Sequence, residues 1–163
     1  MSAAVHVIRR DCAPLAAPSD PAAALDAAPR PTVADLPPSG RILLWAMRLL
    51  AENRSNWGIV QQELWLCCGL ARVESVLQAL EEFLAILALE GRRPLVMKPS
   101  ETRRMSAGEQ AVMAMIAAGE RGDGDRLAAH ARWLVRPLAQ RDLLAQALLL
   151  GQGFAESDVS RHA

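Results

Sequence analysis

Cys67 and Cys68 are the side chains in this sequence best suited to covalent or metal chemistry. A thiolate can act as a nucleophile or bind zinc, but it needs partners for either. Neighbours on a helix point about 100° apart, so adjacent thiols do not aim at one ion. His130 is the one histidine away from the chain ends, where His6 and His162 lie. A Cys–His pair also needs an orienting group and an oxyanion donor, and no residues stand out for those roles. Cys67 is expected to pack in the core and Cys68 to be partly exposed. His130 falls on or beside an apolar stripe and is expected to be a hydrogen-bonded core or boundary residue. No catalytic residue, metal ligand or cofactor-binding residue is predicted.

Residues 119–125, GERGDGD, superficially resemble an acidic calcium loop. The stretch is too short and lacks the closing bidentate glutamate. It also lacks the Gly-Lys-Ser/Thr ending of a phosphate loop. It is read as a helix–helix turn. The basic segment has more to offer. Arg92, Arg93, Lys98, Arg103 and Arg104 fall close together, with only Glu101 of opposite sign. Such a cluster can hold phosphates even on a chain of zero net charge. It can equally be solvated loop charge, or neutralise the carbonyl end of the preceding helix.

The rest of the composition is neutral in both senses. Eighteen basic residues balance eighteen acidic ones, and only Lys98 among the former is not arginine. No overall field attracts nucleic acid. Three cysteines, two of them adjacent, make a disulfide framework improbable and fit a reducing compartment. No basic region followed by an apolar core opens the chain, so no secretory signal is expected. No apolar run approaches the roughly 18 residues that span a bilayer. The expectation is a soluble, cytoplasmic protein with no membrane partner.

The elements that would position these residues read as helices. Seven of the ten prolines lie in residues 1–39, interleaved with alanine, and this predicts a disordered tail. A single helical domain is expected over 40–154, with a frayed end at 155–163. The helices are placed at about 40–53, 57–68, 70–90, 106–119, 123–135 and 137–150. Ser39 is the expected cap of the first helix and Asn56 of the second. Gly69 should end the second with a positive φ. Ile59 (or Val60), Glu63, Leu64 and Cys67 give the second helix its spacing. Ser106 and Glu109 match a capping box, and Gly151 and Gly153 are read as stops. The apolar run from Phe83 to Leu89 predicts that the last turns of the third helix are enclosed. Pro94 and Pro99 keep the stretch between them extended, as one short or wing-like segment near 94–98.

Two stretches carry family resemblances. Leu64, Gly69-Leu70, Val76 and Leu80 stand where a helix-turn-helix places its packing residues. With a helix before and Arg92–Lys98 after, the order is similar to a winged helix. That resemblance implies that Arg72, Glu74, Ser75 and Gln78 face DNA. The same helix carries Glu81 and Glu82, and a reading helix that turns them to the groove repels phosphate. From Ser106 to Pro137 the pattern resembles one tetratricopeptide-type hairpin. Ala111, Ala118, Gly122-Asp123, Leu127, Ala131 and Pro137 stand near its small-residue, turn and stop positions. Such repeats stack to form binding grooves.

The sequence therefore predicts an all-α bundle of five or six helices after a disordered N-terminal tail. The apolar faces of the first and third helices are wide enough to suggest self-association. The leading expectation is a non-enzymatic interaction or regulatory protein that binds another protein or itself, with Trp57, Trp65 and Trp133 as candidate partner surface. The alternative is a DNA-binding regulator with a helix-turn-helix-like unit at about 59–83. Its candidate DNA or phosphate contacts are Arg72, Ser75, Gln78, Arg92, Arg93, Lys98, Arg103 and Arg104.

Overall fold

Proline and glycine punctuate the chain into helices. The computed structural model describes residues 31–160, with side chains described to residue 154. It contains α1 (Pro38–Glu52), α2 (Trp57–Cys68), α3 (Leu70–Glu90), α4 (Ala107–Glu120), α5 (Gly124–Leu134) and α6 (Gln140–Ser160). Among the described residues there is no strand. The extended pairing amounts to two isolated bridges, Thr32 with Arg104 and Gly91 with Val135. Residues 94–98 form no regular element and bond to no neighbouring strand among the described residues, so no winged hairpin forms there. No helix is long and apolar enough to cross a membrane among the described residues.

The limits of α2 and α3 agree with the sequence reading because Gly69 separates them at φ 77°, ψ 165°. Only glycine adopts that combination without strain. The hairpin of α4 and α5 also forms. Gly122, at φ 68°, closes it in a Schellman arrangement, with the Asp123 N–H on Ala118 O and the Gly122 N–H on Gly119 O. Asp123 then caps α5 by accepting from the Arg126 N–H at 3.1 Å.

Helix α6 packs along α3 and α4 and touches α5. Gly153 lies beside Val76, and Gln146 donates to Glu82, so α6 runs antiparallel to α3. Here two expectations fail. Gly151 and Gly153 do not stop α6, which continues to Ser160 after opening with a 3-10 turn at Pro137–Ala139. A Cβ on Gly151 would meet the Glu120 backbone N at 2.7 Å. One on Gly153 would meet Val76 Cγ2 at 2.5 Å. These glycines let helices approach, a role that in sequence looks the same as termination.

The front of the described region departs too. Residues 1–30 of the expected tail lie outside the described residues. Thr32, however, bridges Arg104, and Val33–Asp35 forms a 3-10 turn. Val33 and Leu36 pack against the core. Helix α1 starts at Pro38, not after Ser39, because a first-turn proline gives up only an N–H that would be unbonded anyway. The Ser39 hydroxyl instead donates to Glu120 Oε1 at 3.2 Å. Asn56 sits at the start of α2 but sends its amide to the Leu49 carbonyl, 3.0 Å away.

The core is continuous. Leu43, Met47, Leu64, Leu80, Phe83, Met115, Ile116, Leu143 and Leu150 are buried within it. In α2 it is Val60, not Ile59, that faces inward, and Glu63 is exposed. Cys67 and Cys68 are both half-buried and packed against the core, so they do not divide into an inner and an outer thiol. The end of α3 is only partly enclosed. Phe83 and Leu87 are buried, but Ala85 and Leu89 face solvent.

Candidate functional site

The basic segment is held in place by a buried ion pair that the sequence does not advertise. Arg48, on α1, and Glu109, on α4, are the two buried charged residues among those described. The Arg48 Nε donates to Glu109 Oε1 at 2.7 Å, and its Nη2 to Oε2 at 2.9 Å. The same guanidinium donates to the carbonyls of Thr102 at 2.6 Å and Arg104 at 3.1 Å. The Glu109 carboxylate in turn accepts from the Lys98 N–H at 2.9 Å and the Ser106 N–H at 2.7 Å. The second of these is half of the predicted capping box. The other half is the Glu109 N–H donating to Ser106 Oγ at 3.0 Å. Every fork of the pair thus finds a partner, as a buried charge requires. The result is that residues 98–106, which contain no regular element, are pinned at both ends onto α1 and α4.

Three smaller clips complete the frame. The Ser106 hydroxyl donates to the Val96 carbonyl at 2.7 Å. Beyond α3, the Arg92 N–H donates to Leu134 O, the Arg136 N–H to Glu90 O, and Arg92 Nε to Val135 O at 2.9 Å. This joins the ends of α3 and α5. On the other side, the Val33 N–H donates to Arg103 O, next to the Thr32–Arg104 bridge. That turn has its own lock. The Thr32 N–H and hydroxyl both donate to Asp35, at 2.7 and 2.8 Å. The backbone bond first, and then the hydroxyl, hold the Asp35 carboxyl below its ordinary pKa.

Between these clips lies a groove of about 760 Å³. Leu87, Leu95, Met105, Leu134 and Trp133 give it an apolar lining, and Arg93, Lys98 and Arg104 add charge. No carboxylate lines it among the described residues. Trp133 is 48% exposed, so its ring is open to a ligand as well as to the groove wall. This size falls within the range of ligand clefts.

A second surface lies at the other end of α3. Ile59 and Leu66, seven residues apart, form an exposed ridge along α2, at 56% and 63% exposure. Beside it, Gly58, Gln61, Gln62, Trp65, Leu70 and Val73 line a shallow hollow. Trp65 is 44% and Leu70 76% exposed. Nothing stands within 4 Å of where a Gly58 Cβ would lie.

The candidate residues therefore separate into groups. Arg93, Lys98, Arg104 and Trp133 converge on the groove. Trp65 lines the α2 hollow, whereas Trp57 is half-buried against the core. Arg92 lies beside the groove and spends its Nε on Val135, and Arg103 is exposed but does not line the cleft. Arg72, Ser75 and Gln78 are at the far end of α3. Arg72 is half-buried, and the Ser75 hydroxyl turns back to the Arg72 carbonyl at 2.9 Å. Gln78 donates to Glu82 Oε1 at 3.0 Å, which puts Glu82 on the same face. No group of three or more His, Cys, Asp or Glu able to hold a metal gathers among the described residues. Sequence reasoning missed Arg48, Glu109 as its partner, and the Ile59–Leu66 ridge. The available signal for Arg48 was its place in a helix with few polar neighbours. No family model, curated protein or solved structure matches this chain.

Proposed function

We propose that this chain is a non-enzymatic interaction or regulatory protein that self-associates through the solvent face of α2 and the start of α3. One observation carries the reading: an exposed apolar surface almost without charge. From Trp57 to Ala71 the only charged residue is Glu63. At the 22% charge of the whole chain, those fifteen positions would hold about three. Interface cores are depleted of charge in this way. The surface also suits a two-fold contact, in which one patch must fit itself. The Ile59–Leu66 ridge and the Gly58–Trp65–Leu70 hollow lie side by side, so the ridge of one copy can enter the hollow of the other.

The test is the mass in solution of the full chain by sedimentation or light scattering. The expected value is about twice the 17.6 kDa of one chain. Leu66→Asp, at an exposed position, should return it to one chain with unchanged helicity. A native protein that stays monomeric at high concentration would overturn the reading, and so would a dimer indifferent to Leu66→Asp.

The DNA-binding alternative has less support. Glu74, Gln78, Glu81 and Glu82 are all exposed on α3, on the face that would have to enter the major groove. Carboxylates there oppose phosphate approach. The basic groove lies near the opposite end of a helix about 30 Å long. Anisotropy of a mixed-sequence duplex across a salt series decides the matter. Affinity that falls steeply with salt would restore this alternative.

A further inference from the structure

We infer that the groove between Arg93 and Arg104 is a docking site for an extended, acidic segment of a different protein, laid along residues 94–98. The inference does not depend on self-association, because the groove and the α2 surface occupy opposite ends of α3.

Charge names the ligand class. Arg93 and Arg104 are exposed, and neither guanidinium makes an ion pair or hydrogen bond among the described residues. Lys98 lines the same cleft, and no acidic side chain is among the described residues that line it. An occupant carrying carboxylates gains charge-assisted bonds here, and a basic one is repelled. Trp133, Leu87 and Leu134 ask for apolar side chains between those carboxylates. A DNA backbone presents phosphates without apolar groups of that kind, and so leaves the floor uncovered.

Shape names the conformation. Residues 94–98 alternate, with Leu95 and Met97 buried and Val96 and Lys98 half-buried. This is the two-residue period of a strand lying on a core. Side chains hold the Val96 carbonyl and the Lys98 N–H, but no backbone group bonds to Leu95, Val96 or Met97 among the described residues. Such a segment has the burial pattern of a strand without a neighbour, and an extended peptide can supply one. The Arg48–Glu109 pair fixes the segment beforehand, so little ordering cost is left for binding. The chain's own residues 1–30 do not match, since Asp11, Asp20 and Asp26 are balanced there by Arg9, Arg10 and Arg30.

The experiment is selection from a random peptide library displayed on phage against the full-length protein. Enriched sequences should alternate acidic with aliphatic or aromatic residues. A peptide made from them should bind at least tenfold more weakly to the Arg93→Glu/Arg104→Glu double variant, and several-fold more weakly to Trp133→Ala. Arg121→Glu, at the distant α4–α5 turn, should bind as the native protein does. All four residues are exposed or half-exposed, and circular dichroism checks that each variant folds. Enrichment without an acidic bias would overturn the proposal, as would no enrichment at all. So would an affinity that Leu66→Asp reduces and the double charge reversal does not, since that peptide would be reading the α2 surface. Displacement of the peptide by a mixed-sequence DNA duplex would assign the groove to phosphate instead.

Discussion

At the N-terminal end of α3 the surface is apolar and nearly uncharged, whereas at its C-terminal end Arg93 and Arg104 face a cleft without a carboxylate. The two surfaces are also built differently. The first is carried by helix, and its shape follows from side chains on α2 and the first turn of α3. The second is carried by irregular chain, and its shape depends on bonds from distant residues. A helical surface tolerates loss of one contact because its backbone bonds are internal. A loop surface does not, because side chains must satisfy its backbone. The difference predicts which substitutions each end can survive.

The largest effect should come from Arg48→Met. Removing one member of a buried ion pair costs about 3–5 kcal/mol, because the other charge is left uncompensated. Here the carbonyls of Thr102 and Arg104 lose their donor as well. Against a typical total of about 5–15 kcal/mol this is a large fraction, and urea denaturation will read it directly. Replacing both partners with apolar residues should not restore stability, as it does in some buried pairs. Glu109 also serves the N–H groups of Lys98 and Ser106, which would remain unsatisfied. If the double variant matched the native midpoint, the loop end would not depend on the pair.

Two glycines sharpen the contrast at intermediate size. Gly151 lies in the seam between α6 and α4, where an added methyl meets backbone atoms of Glu120, Gly119 and Ile116. Gly151→Ala should therefore cost about 1–3 kcal/mol through overpacking. Gly58, on the exposed α2 face, meets nothing. Gly58→Ala should stabilise the monomer by up to about 1 kcal/mol through helix propensity. Thermal melts of the two variants should move in opposite directions. A larger side chain, Gly58→Arg, should leave the monomer folded yet fill the hollow and weaken self-association.

The same contrast explains what the sequence made legible. Local signals survived translation into structure. Gly69 divides α2 from α3, and Ser106 with Glu109 forms the predicted box, because each acts on residues three or four positions away. Signals spanning the chain did not. Arg48 sits on a helix beside Arg41 and Glu52 in the pattern, and in a helical wheel it reads as solvent-facing. Its partner is 61 residues away. The basic cluster was legible as a run, but Trp133, which completes the groove, arrives from another helix. Ile59 and Val60 were interchangeable in the pattern because neighbours differ by only about 100°. Which of them left an exposed ridge depended on where α2 settled against α1 and α3.

The smallest effect concerns the turn that holds Arg104 from outside. Asp35 accepts from the Thr32 backbone and hydroxyl, and Thr32 bridges Arg104. Its folded pKa is depressed below the ordinary 3.8. In the unfolded chain the carboxyl takes up its proton near that ordinary value, before the folded form does. The contribution of Asp35 to stability is therefore fully present above about pH 5. It shrinks as the pH falls below 3.8, and is gone below the depressed folded value. Asp35→Asn should melt slightly below the native protein at pH 7, and the gap should close as the pH is lowered through this window. Because the carboxylate is fully exposed, added salt should also narrow the gap at pH 7. A gap that stayed constant with pH would mean that the turn is held by the Val33 N–H and Arg103 carbonyl alone, and that the outer wall of the groove needs no charge to stand.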